Sequence, residues 1–256
     1  MTRMLRAEWT KLSTVRSSSW TALAILGLSV GFSLFLAYGS SSTGMGGDND
    51  LVRDSLVGTY LALFPVVALG VLAITSEYST GMIQVTFTAI PRRGRVLIAK
   101  ALLVGSIVLV VGLVASTTAF TFGQRLLRDN GYDPPGYPAW SLHDGPAQRA
   151  VIGSALLLAA IALLSLGVGA IFRHSAAAIS SLLALLFVPL IFGPLLPEGT
   201  GDRVQQATPG AGFAVQQTVE RSDAIPIDPR AGLGVAFAWA AGALLLAYVL
   251  IRRRDA

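Results

Sequence analysis

Glu77 stands at the head of "EYSTGMIQVTFTAIPRRGRVLIAK", residues 77 to 100, and Arg92, Arg93, Arg95 and Lys100 gather at its end. Charged groups of both signs at the border of an apolar run can hold lipid headgroups, pair with one another, or offer a rim to a soluble partner. More demanding chemistry lacks its residues. There is no H-E-x-x-H for a metal-assisted hydrolase and no G-x-S-x-G for a nucleophilic serine, and the two histidines, His143 and His174, fall on opposite sides of an apolar run. No G-x-x-x-x-G-K-[ST] is present, so the chain has no phosphate loop with which to bind a nucleotide. Cysteine is absent, which removes disulfides, thiolate nucleophiles and thiolate metal sites together. No catalytic, cofactor or metal site is expected, and the chain is not expected to be an enzyme.

The elements that must carry these charges are apolar. Of 256 residues, 53% are hydrophobic and 13% charged, where a soluble domain carries about 25% charged residues. A bilayer core about 30 Å thick takes roughly 20 apolar residues of helix to cross. Six charge-free runs of that length occur: 20–38, 56–75, 101–123, 150–172, 176–196 and 231–251, none holding Asp, Glu, Lys, Arg or His. They lack the alternation of barrel strands, so helices are predicted. The expected fold is an all-α membrane protein, one polytopic domain over residues 1–256 with six transmembrane helices.

Charge sets the expected orientation. The segments 1–19, 76–100, 173–175 and 252–256 hold 12 Lys and Arg against three acids, Glu8, Glu77 and Asp255, and the intervening segments hold seven against eleven. Cations are retained on the cytoplasmic side, which predicts both termini and residues 76–100 there. A cleaved signal peptide is the rival reading of the N-terminus, but its apolar run of 19 residues exceeds the roughly 7–15 of a signal core and further spans follow. Lys11 and Lys100 are the only lysines, and the Ala and Gly richness suggests a high-G+C bacterial genome, hence a bacterial plasma membrane. The net charge of +5 sits at membrane borders, where helix anchoring accounts for it without nucleic acid.

Intramembrane polarity is modest. Ser29, Ser33, Thr59, Ser106, Ser116, Thr117, Thr118, Ser154, Ser165, Ser180 and Ser181 are expected to bond to their own or a neighbouring helix. With no ionisable group in any apolar run, ion-coupled transport is disfavoured. "GLSVG" (Gly27, Gly31) matches the close-packing glycine motif, and Pro65, Pro189 and Pro194 should kink their helices.

Ahead of the first run, Leu5, Trp9 and Leu12 share a helical face opposite Arg3 and Arg6, which suits a helix lying in the headgroup layer against membrane lipids; a basic tail that only sets topology is the alternative. Residues 39–55 read as a flexible loop. In 197–230, Thr208 and Pro209 begin a short outer helix that extends to about Glu220.

Residues 76–100 form the longest segment predicted to face the cytoplasm. Ser79 or Thr80 can cap a short helix there and Pro91 ends it, while Met82, Ile83, Val85, Phe87 and Ile90 give it more apolar surface than a solvated loop keeps. Such a helix either lies in the membrane surface or docks in a groove of another protein. Arg92, Arg93, Arg95 and Lys100 then hold the start of the third span at the headgroups.

In their order, "RAEWTKLSTVRS" before the first span, "EYSTG" closing the second and "IPRRGRVLIAK" opening the third resemble the permease subunits of ABC type-two exporters. Met82 follows Gly81 where such permeases commonly have threonine. The resemblance implies a permease that pairs with a second one, as homo- or heterodimer, and with a separate ABC ATPase that hydrolyses ATP. It makes about 79–90 the coupling helix, with Glu77, Gly81, Met82, Ile83, Phe87, Pro91, Arg92 and Arg93 as candidate coupling residues; Leu5, Trp9 and Leu12 belong to a surface elbow helix, and 209–220 to an outer cap. Glu77, Arg92 and Arg93 would serve equally as anchors of any helix pair. A non-transporting membrane scaffold or sensor subunit is the alternative function.

Overall fold

A computed structural model describes residues 16–43, 50–82, 93–132, 140–197, 199–218 and 227–253. Among these the chain is helical without a strand, and six helices are long and apolar enough to cross a membrane. In chain order they are α1 (Arg16–Thr43), a short α2 (Leu51–Leu56), α3 (Thr59–Ser79), α4 (Arg93–Asp129), α5 (Gly145–Phe172), α6 (Ser175–Phe192), a short α7 (Thr200–Ala207) and α8 (Pro229–Arg253). Two 3-10 segments, Gly193–Leu195 and Pro209–Gln216, flank α7.

The helices overrun the apolar stretches that nucleate them. Lipid offers no competing hydrogen-bond partner, so a helix continues until a turn signal stops it. α4 has 37 residues, about 55 Å at 1.5 Å per residue. It starts at Arg93, so Lys100 lies two turns inside the helix and not at its mouth. Five of the six spans follow the predicted runs to within a few residues at one or both ends, and the second and third extend furthest beyond them.

α5 is the hub. It packs against α3, α4, α6 and α8, and its span is the most buried of the six. Small residues allow this. A Cβ at Gly70 of α3 would lie 2.6 Å from the Ala162 carbonyl oxygen, and one at Gly167 would lie 2.8 Å from Ala243 of α8, so both glycines hold helix axes together. Gly27 and Gly31, the pair singled out by motif, have nothing within 4 Å of their Cβ positions among the described residues. Within this chain, the glycines of close approach include Gly70 and Gly167, where α5 meets α3 and α8, and Gly58, where a Cβ would overlap the Ser29 carbonyl of α1; the two glycines of the motif are not among them.

Alternation of direction gathers the ends of α3, α5 and α8 with the starts of α4 and α6, a cation-rich end carrying Lys100, Arg173 and Arg252. The opposite end is more ordered than the sequence predicts. Part of the 39–55 stretch is helix: α1 runs on to Thr43, and α2 begins at Leu51 with Asp50 as N-cap, its carboxylate accepting from Arg53 N at 3.2 Å. α2 buries Leu51, Val52 and Leu56, which is what makes it fold. The outer segment differs too. The short outer helix expected from Pro209 to about Glu220 is a 3-10 segment over Pro209–Gln216, buried against α5 and α8 with α7 before it; Glu220 lies outside the described residues. Thr208 sits at the N-cap position, but its hydroxyl donates to Gln205 O at 3.0 Å and makes no cap bond. Pro65 and Pro189 lie inside α3 and α6, whereas Pro194 is the middle residue of the 3-10 turn Gly193–Leu195 that follows α6.

Candidate functional site

Two of the charged residues with which the sequence reading began, Glu77 and Lys100, meet at the cation-rich end. Glu77 lies on the last turn of α3 and Lys100 on the second turn of α4. Their side chains are 9% and 6% exposed, and Lys100 Nζ donates to Glu77 Oε1 at 2.8 Å. The same ammonium donates to Ala73 O at 3.1 Å. Residues 73 and 77 are one helical turn apart, so a single cation spans a turn of α3 from the neighbouring helix. Lys100 is therefore a buried interhelical tie; the headgroup anchor expected of it is not what the fold makes.

A buried apolar cluster lies at the same end of the bundle. Ile74, Leu97, Leu166, Ala170, Ala247 and Ile251 form a buried cluster from α3, α4, α5 and α8, with Tyr78 and Tyr248 against it. A Cβ at Gly94 would overlap the Tyr248 ring, so that glycine admits the ring between α4 and α8. Arg252 lies over the other side of the arrangement, its Cζ 5.6 Å from the Tyr248 centroid, and Arg173 sits 5.1 Å from the Tyr78 centroid. Arg173 is the turn between α5 and α6 and takes a left-handed conformation, φ 56°. The Arg173–Tyr78 contact joins the ends of α5 and α3, while the Arg252–Tyr248 contact lies within α8.

α3 closes at this point. The hydroxyls of Ser79 and Thr80 both donate to Ser76 O, at 3.0 and 2.8 Å, so they finish α3. Gly81 follows at φ +69° with open space around its Cβ position, so backbone conformation and not crowding calls for glycine. Met82 is half exposed. Ile83, Phe87, Pro91 and Arg92 lie outside the described residues, as do Leu5, Trp9 and Leu12. Arg93 is the first residue of α4. Of the candidate coupling residues the structure therefore places Glu77, Gly81, Met82 and Arg93, at the two ends of the segment 83–92. Lys100 was absent from the candidates because sequence spacing alone did not reveal its pairing with a residue 23 positions away.

A second polar assembly at the opposite end went unread. Asp50 is 2% exposed and accepts from Thr218 N at 2.6 Å and from Thr218 Oγ1 at 2.7 Å. Gln124 Nε2 donates to Leu51 O and Ser55 Oγ, Gln216 Nε2 to Ser154 Oγ at 3.0 Å, and Arg149 Nη2 to Gln217 O at 2.7 Å. These bonds tie α2, α4 and α5 to the buried outer segment, and Tyr60 stacks on Phe213 with centroids 3.7 Å apart. Acid and amide residues scattered through three loops gave no spacing signal from which to assemble this. The span hydroxyls behave as expected: Ser154 and Ser165 bond to carbonyls one turn back, and Ser116 bonds to its own helix and to Val151 O of α5. Ser29 and Thr59 are exceptions, buried with hydroxyls that have no partner among the described residues.

Neither a family model nor a curated protein matches this sequence.

Proposed function

We propose that the chain is the membrane-spanning permease subunit of an ATP-driven exporter of the ABC type-two class, set in a bacterial plasma membrane with both termini cytoplasmic. In this reading the cation-rich end is the cytoplasmic end, and residues 79–90 dock on a separate ATPase. A second permease completes the translocation path. The observation that carries the proposal is the Glu77–Lys100 tie. It clamps the helices on either side of segment 80–92 to each other, so a push on that segment reaches α3 and α4 as one body and passes through α5 to the rest of the bundle. A docking segment on a freely hinged loop would lose that displacement in the hinge. The oily side chains Ile83, Val85, Phe87 and Ile90 supply what a groove on a partner would bury. At the far end the wedged outer segment suits a cap over the exit.

Ile83→Asp and Phe87→Asp test the reading. Burying one such side chain contributes about 1.5–3 kcal/mol, so each variant should lose its copurified ATPase and its transport while remaining inserted. The chain purified alone should hydrolyse no ATP. Full retention of the ATPase by both variants would remove the segment as the coupling element. If no ATPase accompanies the wild-type protein, the scaffold or sensor reading takes precedence.

A further inference from the structure

α6 and α8 both pack against α5 and leave between them an apolar cleft of about 470 Å³. Leu164, Val168 and Ile171 of α5 make its floor, Leu185 of α6 one wall, and Trp239 and Leu246 of α8 the other. That size falls among small-molecule sites, about 300–1,000 Å³. The lining offers nothing to a polar ligand. Its one polar side-chain atom, Trp239 Nε1, already donates to Ala207 O at 2.8 Å, a bond that joins the inner end of the cleft to the last residue of α7.

The other end opens toward cations. Trp239, Gly242, Leu246 and Arg253 recur on one face of α8 at spacings of three, four and seven, so exposed Arg253 continues the stripe that lines the cleft. The fourteen residue steps from Trp239 to Arg253 cover about 21 Å of helix. One leaflet with its headgroup layer is half of about 40–45 Å. The stripe therefore matches one leaflet in depth, apolar toward the midplane and cationic at the headgroup level.

We propose that this cleft is a binding site for one anionic phospholipid of the adjacent leaflet, with an acyl chain against Leu164, Val168 and Leu246 and its phosphate on Arg253. A lipid fills apolar space inside a bilayer without ordering a partner chain, and its charge complements the arginine. A second copy of the chain docked here about a two-fold axis would instead bring the Arg252–Arg253 pairs of both copies to the same end, like charge toward like.

Glycine makes the site testable. A Cβ at Gly242 meets nothing within 4 Å, so Gly242→Leu fills the cleft without displacing backbone. Gly234, exposed on the same helix and outside the cleft, is equally open, and Gly234→Leu is the control. The full chain in mild detergent, with helical content checked by circular dichroism, is titrated with palmitoyl-oleoyl phosphatidylglycerol or phosphatidylcholine and read by native mass spectrometry. Wild type should take up one phosphatidylglycerol ahead of further copies. Gly242→Leu should weaken that first binding about tenfold or more, about 1.4 kcal/mol, with Gly234→Leu unchanged. Arg253→Gln should bind the two lipids alike. Equal binding by wild type and a folded Gly242→Leu would overturn the site, and so would an equal loss in Gly234→Leu. A disulfide between chains at Gly242→Cys in native membranes would also overturn it, assigning the cleft to a second copy.

Discussion

Lys100→Met removes one partner of a buried pair and leaves the Glu77 carboxylate buried without its ammonium. The 2.8 Å bond to Glu77 and the 3.1 Å bond to Ala73 O both disappear. Breaking a buried pair from one side costs about 3–5 kcal/mol, mostly because an uncompensated charge stays buried. That corresponds to more than two orders of magnitude in the folding equilibrium, about tenfold for each 1.4 kcal/mol. Glu77→Met leaves the ammonium buried without its carboxylate, though it keeps the bond to Ala73 O. The double variant strands neither, and replacing both partners by apolar groups of similar volume is often neutral or stabilising. Folding in a bilayer moderates the figure, since an unfolded chain in lipid also finds polar partners. The coupling between the two substitutions should still reach about 2 kcal/mol or more. The assay is reversible unfolding by SDS in mixed micelles, followed by circular dichroism, for wild type, both single variants and the double variant. Coupling below about 0.5 kcal/mol, the level of independent sites, would refute the reasoning, because a pair this enclosed cannot be energetically independent.

Asp50→Ala removes the helix cap of α2 and both bonds to Thr218, so the outer segment should loosen: bonds to a charged group contribute about 1.5–3 kcal/mol, and limited proteolysis between residues 199 and 226 should quicken while α3 and α5 stay protected. Cysteines placed one at a time at Ser42, Ser141 and Ser222 should react with an impermeant reagent on intact cells and one at Ser13 should not, against no background because the chain has no cysteine; labelling at Ser13, or protection of all three others, would refute the proposed orientation.

Much of the fold was legible because membrane insertion depends on a local sum. Twenty consecutive apolar residues cross a bilayer whatever lies elsewhere in the chain, so the six runs could be read without knowing their neighbours. The turn at Arg173 and His174 was visible for the same reason, as a charged break only a few residues long. The candidate site was half legible. Glu77 stood out as a carboxylate at the end of an apolar run, yet Lys100 read as another border cation, because a one-dimensional pattern carries no information on which face of α4 meets α3.

Sequence alone determined the number of helices long and apolar enough to cross a membrane, their approximate limits and the concentration of cations at one end, all consequences of transfer free energies that add along the chain. Tertiary structure decided which helix became the hub, and it chose α5, where Gly167 and the alanines around it let neighbouring axes approach, over the glycine motif of α1. It also drew Asp50 to Thr218 across 168 residues and buried Pro209–Gln216, read from sequence only as a short outer helix, against α5 and α8. Local hydrophobicity can place a segment in or out of lipid. Pairing within the lipid depends on shape and hydrogen-bond matches between surfaces distant in sequence, and these exist only once the helices are side by side.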